Sequence, residues 1–204
     1  SFDNMTNIDK SLRSKLEEVF NISRPAIEKK EISDDGTIKY LFCLEDQSKI
    51  ETVFIPEEKR STLCISSQVG CTLNCSFCHT GTQKLVRNLS SQEIVGQVIA
   101  VYDDLGLWEK KRVNSSHSSC FEIITNIVFM GMGEPLLNYE EVKKACIILM
   151  DNKGLDFSRR RITLSTAGIV PKIKTAHEEI GCMIALSLHA TENQTRDILV
   201  PINK

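Results

Sequence analysis

The run Gly70-Cys71-Thr72-Leu73-Asn74-Cys75-Ser76-Phe77-Cys78-His79 brings three cysteines together as C-x-x-x-C-x-x-C. Thiolates this close in sequence can converge on one iron-sulfur cluster, leaving one cluster iron without a protein ligand and open to a small molecule. The same residues also suit a three-cysteine zinc site closed by His79, because zinc takes sulfur and nitrogen ligands in a tetrahedron. Zinc ligands usually come as C-x-x-C pairs and no second pair is present, so the spacing leans towards the cluster and leaves both readings open.

Three further segments carry polar or glycine-rich groups directly after apolar runs: Gly131-Met132-Gly133-Glu134-Pro135, Ser165-Thr166-Ala167-Gly168 and Ser187-Leu188-His189. Glycines at 131 and 133 permit close backbone approach to a ligand, and Glu134 suits an ammonium group. The plainer reading is a tight strand-to-helix turn with a solvated glutamate. Ser165, Ser187 and His189, taken singly, read as residues that satisfy nearby backbone groups. Their shared position after strands is what makes them candidates.

The elements that must position these groups follow from periodicity. Residues 9 to 20 place Leu12, Leu16, Val19 and Phe20 at helical spacing, ending before Pro25. Asp34-Asp35-Gly36 is a turn, and the β-rich runs Thr37 to Leu44 and Lys49 to Ile55 predict a hairpin. From Thr62 the pattern alternates strand and helix. Strands are expected at Thr62 to Ser67, Ile123 to Met130, Arg161 to Thr166 and Cys182 to Leu188, the second apolar throughout as if buried on both faces.

Ser90 with Glu93 and Asn138 with Glu141 predict helix starts, the second helix running through Met150, and Pro171 to Ile180 predicts a third helix. Such alternation implies a parallel sheet, either doubly wound or part of a barrel, with ligands at the C-terminal strand ends. The cysteine run, Glu134, Ser165 and His189 then face one site. Residues 1–60 form a small accessory piece and 61–204 the α/β unit.

With 204 residues, 41% of them hydrophobic, the chain can bury a real core. A net charge of -2 gives no global attraction to nucleic acid, so such a partner must be met by local patches. Candidates are Lys84 with Arg87, Lys110-Lys111-Arg112 and Arg159-Arg160-Arg161, each more often just a solvated surface. Three of eight cysteines crowd one run, which suits ligand chemistry in a reducing cytosol better than a disulfide framework. No apolar span approaches membrane length and no signal-peptide pattern opens the chain, so a cytoplasmic protein without a membrane partner is expected. Ser1 at the start and Lys204 after an apolar strand and short turn suggest a piece of a longer protein.

The C-x-x-x-C-x-aromatic-C pattern, with Phe77 as the aromatic residue, resembles the radical S-adenosylmethionine superfamily. The strings Thr62-Leu63-Cys64-Ile65-Ser66-Ser67-Gln68-Val69-Gly70-Cys71, Met130 to Asn138, Arg161 to Thr166, and Ser187-Leu188-His189-Ala190 through Val200 to Lys204 are similar to the dual-specificity 23S rRNA and tRNA adenine-C2 methyltransferases of the RlmN type. The resemblance implies an incomplete (β/α)6 partial barrel with about four βα strands present, plus the small N-terminal helix and hairpin.

It implies that Cys71, Cys75 and Cys78 hold a [4Fe-4S] cluster, and that Gly133, Glu134, Ser165, Ser187, Leu188 and His189 hold S-adenosylmethionine. It also implies that Glu51 accepts a proton and that Cys64 is the thiol that releases the methylated product. Substrates would be 23S rRNA and tRNA, with an electron donor such as flavodoxin or ferredoxin. Without the resemblance, Glu51 reads as an edge-strand charge and Cys64 as an inert buried thiol. Cys43, Cys120, Cys146 and Cys182 match no motif.

The cysteine that carries the transferred methyl group in the family has no counterpart among these residues, so complete catalysis is not expected from this chain alone. Two other readings remain at this point. One is the related enzyme that methylates carbon 8 of the same adenine, and the other is a non-catalytic, metal-stabilised RNA-binding remnant.

Overall fold

A computed structural model describes residues 2–108 and 124–203. The basic triplet Lys110-Lys111-Arg112 and Cys120 lie outside the described residues. One seven-stranded sheet organises the chain. Strands β1 (Ala26–Ile32), β2 (Ile38–Cys43), β3 (Lys49–Pro56) and β4 (Ser61–Cys64) run antiparallel to their neighbours. A two-stranded ribbon pairs β5 (Gln68–Val69) with β6 (Arg87–Asn88). Strands β7 (Asn126–Phe129), β8 (Ile162–Thr166) and β9 (Met183–Leu186) then continue from β4 in parallel.

The order β1-β2-β3-β4-β7-β8-β9 settles the choice between parallel folds. A doubly wound sheet reverses its strand order at a switch point, whereas here each parallel strand lies beside the previous one, as in a barrel wall. The expected hairpin gains a third strand, because Ala26–Ile32 pairs along β2 with a bulge between Ile27 and Lys29. The hairpin itself is as expected: Asp35 Oδ1 accepts the Thr37 N–H at 2.9 Å and Asp46 Oδ1 accepts the Ser48 N–H at 3.0 Å, each closing its turn.

Helices α1 (Lys10–Val19), α2 (Ser91–Asp104), α3 (Tyr139–Met150), α4 (Val170–Glu179) and α5 (Asn193–Leu199) complete the fold. The predicted capping box starts α2, with Glu93 N–H donating to Ser90 Oγ at 3.2 Å and Ser90 N–H to Glu93 Oε2 at 2.9 Å. The second predicted start is built differently. Asn138 makes no cap bond; its side chain is buried and donates to Ser67 O and Leu89 O at 2.8 and 2.7 Å. Glu141 instead reaches across to α2, where Oε2 accepts the Ser91 N–H at 2.7 Å.

Alternate residues of the strands bury one face under α2 and α3, with Phe42, Ile50, Leu63, Ile127 and Ile162 in the core beside Ile94, Val98, Val142 and Leu149. The opposite face is only half-buried. Strand β7 therefore alternates between buried and half-exposed residues, and is not covered on both faces as its composition suggested. The C-terminal apolar segment is helical where a strand was expected: α5 leads into a 3-10 turn at Pro201–Asn203. The apolar stripe of α1 forms as predicted, yet the helix buries no residue. Among the described residues no helix is long and apolar enough to cross a membrane.

Candidate cofactor site

The loops that leave β4 and β7 are fixed to one another before either meets a ligand. Ser66 Oγ donates to Glu51 O at 2.6 Å and accepts the Met132 N–H at 2.9 Å, while Ser67 N–H donates to Met132 O at 2.9 Å. Gln97, wholly buried on α2, holds the same loop: Oε1 accepts from Thr52 Oγ1 and Ser66 N, both at 2.8 Å, and Nε2 donates to Ser66 O at 3.0 Å. Gln68 closes the set, its Oε1 accepting the Glu134 N–H at 2.8 Å and its Nε2 donating to Asn88 Oδ1 at 2.7 Å. These buried amides are satisfied on both ends, the condition under which burial rigidifies.

This packing revises the reading of the glycines. A Cβ on Gly131 would lie 2.7 Å from Ser66 Oγ and one on Gly133, at φ +92°, would lie 2.4 Å from Gln68 Cβ. Both glycines make room for the β4 loop, even though both also border the cleft described next.

At the C-terminal ends of β7, β8 and β9 lies an open cleft of about 310 Å³, at the lower end of the range of ligand pockets. Cys71, Cys75 and Cys78 line one side, with Gly131, Gly133, Glu134, Ser165, Ser187 and His189 among the other lining residues. The structure thus brings together all the expected cluster and cofactor residues except Leu188, which is exposed and does not border the cleft. His79, weighed as a zinc ligand, is exposed and does not border it either.

All three thiols are free, and burial pushes Cys71 and Cys75 above the ordinary thiol range, their neighbouring cysteines adding to the shift. Among the described residues no three His, Cys, Asp or Glu side chains are grouped to hold a single metal ion. The cysteine loop rests on a small second core of Cys71, Leu73, Ala167 and Val200, and Ser76 N–H donates to Leu199 O at 3.1 Å, which ties the loop to α5.

Glu134 is 3% exposed, and its two carboxylate oxygens accept the Leu136 and Ala167 N–H groups at 3.1 and 2.8 Å. Burial raises its pKa, and those backbone donors offset part of the rise. Ser165 Oγ and Ser187 Oγ are 3.4 Å apart. His189 sits at φ +56° with its ring 4.1 Å from Phe77, centroid to centroid. A left-handed backbone is uncommon for a residue with a Cβ and tends to mark functional sites.

The chain is 56% identical over 203 residues to dual-specificity RNA methyltransferase RlmN of Cereibacter sphaeroides (strain ATCC 17025 / ATH 2.4.3) and of Paracoccus denitrificans (strain Pd 1222). All of this chain and 51% of each relative are matched. The crystal structure of a radical SAM methyltransferase from Sphaerobacter thermophilus superposes with a TM-score of 0.85 at 40% identity, over 100% of this chain and 57% of that one. The similarity to these RlmN proteins runs along the whole length of the chain. No family model matches it. The chain spans about half the length of the curated relatives it matches.

Two expected residues of the RlmN-like reading lie outside the cleft. Cys64 ends β4 opposite Val53, and Glu51 lies two residues from Val53 on the same half-open face. Glu51 is held by Lys39, Nζ to Oε1 2.7 Å. Burial pushes the Cys64 thiol up to about 11, partly offset by the Met130 backbone.

The basic patches divide. Arg87 pairs with Asp46 and Glu93 at 2.7 and 2.8 Å, and Arg159–Arg161 forms an exposed 3-10 turn before β8, at the opposite end of the parallel strands from the cleft. Sequence reasoning missed Gln68, Gln97 and Arg196. Their one available signal was an amide or guanidinium inside otherwise apolar or cofactor-adjacent strings.

Proposed function

We propose that this chain forms the cofactor-binding part of a radical S-adenosylmethionine RNA methyltransferase whose whole form methylates carbon 2 of adenine in 23S rRNA and tRNA. The observation that carries the reading is the single cleft that gathers three free thiols, a buried carboxylate, two serines and a histidine from four strand ends. The name of the relatives favours carbon 2 over the carbon 8 alternative.

Cys71, Cys75 and Cys78 would hold a [4Fe-4S] cluster, which when bound supplies the electron that opens S-adenosylmethionine to radical chemistry. The donor set fits: one thiolate for each of three irons leaves a fourth for the cofactor's amino and carboxylate groups. Glu134 keeps lone pairs beyond its two backbone donors and would accept an N–H of the cofactor's amino group, while Gly133 offers backbone at the same wall. Ser165 and Ser187 contribute hydroxyl donors, and His189 completes the surround from the end of β9, where Leu188 lies outside the cleft lining.

On the half-open face, Cys64 is protonated at neutral pH because burial disfavours its thiolate. Glu51 beside it accepts a proton, and the Cys64 thiol serves release of the methylated base. The base must leave its RNA stack to be reached, with residues 1–60 acting as an accessory piece to the 61–204 unit. A flavodoxin or ferredoxin would supply electrons, in the cytoplasm and away from any membrane.

Anaerobic reconstitution tests the reading. The expected product is a brown protein with about four irons and four sulfides that cleaves S-adenosylmethionine once reduced. A colourless protein that takes up zinc alone overturns it. For the whole protein, nucleoside mass spectrometry of treated RNA should find 2-methyladenosine rather than the 8-methyl isomer.

A further inference from the structure

Arg196 belongs to α5 and does not line the cleft, yet its guanidinium reaches under two loops that do. Nη2 donates to Ala167 O at 2.6 Å and to Ser187 O at 3.4 Å, and Nε donates to Leu188 O at 3.1 Å. The first carbonyl follows β8 and the other two follow β9. On the far side of the same residue, the Ala167 N–H donates to Glu134 Oε2 at 2.8 Å. One side chain therefore joins the ends of β8 and β9 and, through Ala167, reaches the carboxylate that follows β7.

We propose that Arg196 is a positioning residue for the cofactor cleft: it locks the Ala167, Ser187 and Leu188 backbone so that Glu134 and Ser187 meet S-adenosylmethionine in a fixed arrangement. The inference rests on the reading of the cleft given above. A planar guanidinium presents donors in several fixed directions at once and so spans carbonyls of two loops. An ammonium is a single point that cannot hold the same set. The neighbouring Gly168, at φ +112°, leaves the space this needs, since a Cβ there would stand 3.3 Å from Nη2.

The test compares the unchanged chain with Arg196→Met and Arg196→Lys after anaerobic reconstitution, measuring iron content and S-adenosylmethionine affinity by equilibrium dialysis. Full iron content is expected in all three. Affinity should fall at least about ten-fold in Arg196→Met, the order expected when charge-assisted hydrogen bonds are lost, and recover in part in Arg196→Lys. The electron paramagnetic resonance spectrum of the reduced cluster should be the same in all three before cofactor is added, and the cofactor-induced change should need more cofactor in Arg196→Met.

Unaltered affinity in Arg196→Met overturns the inference and leaves the cofactor reading standing. Loss of iron in that variant also overturns it, because the arginine would then serve the cysteine loop. An unchanged chain that takes up no iron, or binds no S-adenosylmethionine, overturns both. If Arg196→Met does not fold, Arg196→Lys decides alone: lowered affinity at full iron content supports the inference and unaltered affinity overturns it.

Discussion

Cys64 stands opposite Val53 across the β3–β4 ladder, which places its thiol diagonally from Glu51 on the same half-open face. Diagonal neighbours across an antiparallel pair lie about 7 Å apart, within reach through one small group or water. Alkylation by iodoacetamide, followed by peptide mass spectrometry across pH, should show Cys64 reacting slowly at neutral pH. The rate should rise towards a midpoint near 11. A midpoint at the ordinary thiol value of about 8.5 would mean that burial is not controlling this thiol.

The cysteines should separate sharply by role. Replacing Cys71, Cys75 or Cys78 singly by alanine is expected to abolish iron uptake in the reconstituted chain. Cys146 and Cys182 are buried in the core, where burial raises both thiols, Cys182 to about 11. Cys182→Ala should therefore keep full iron content and lose only about 1–2 kcal/mol of stability from the cavity it leaves. Iron retained in Cys78→Ala would exclude it from the ligand set.

Gln97 is the keystone of the loop after β4. Gln97→Leu keeps the volume but strands Thr52 Oγ1 and both backbone groups of Ser66. A loss of about 3 kcal/mol in urea unfolding is expected, since buried partners left unpaired bear their full desolvation cost. A change below about 0.5 kcal/mol would show that water replaces the amide.

Gly133→Ala should cost about 3 kcal/mol or prevent folding, because the new Cβ meets Gln68 Cβ at 2.4 Å on a left-handed backbone. Reading both stability and cofactor affinity is informative, since the same loop carries Glu134.

Glu141 gives a pH signature. Its bond to Lys144 first, and then that to the Ser91 N–H, lowers its pKa from 4.5 to about 2. A carboxyl depressed in the folded state stabilises above its unfolded pKa, and that stability is lost as pH falls through the folded value. Glu141→Gln should thus be about 1 kcal/mol less stable at neutral pH. The gap to the unchanged chain should close as pH falls from 4.5 towards 2. A gap independent of pH would assign the effect to packing.

The amino-acid sequence by itself determined the cysteine run, the alternation of strands with helices and the capping box at Ser90, because these depend on neighbours along the chain. It also placed Glu134, Ser165 and His189 after strands, so that a common strand-end site followed from topology alone. What only the tertiary structure decided depends on partners far apart in the chain. Sheet order, with β9 beside β8 and no reversal, separated barrel wall from doubly wound sheet. The third antiparallel strand, Ala26–Ile32, escaped notice because its residues are exposed and charged, and only pairing with β2 makes it a strand. Asn138 looked like a cap by local pattern but was claimed by carbonyls at 67 and 89. Arg196 belongs to no motif along the chain, and only the fold set three carbonyls around it.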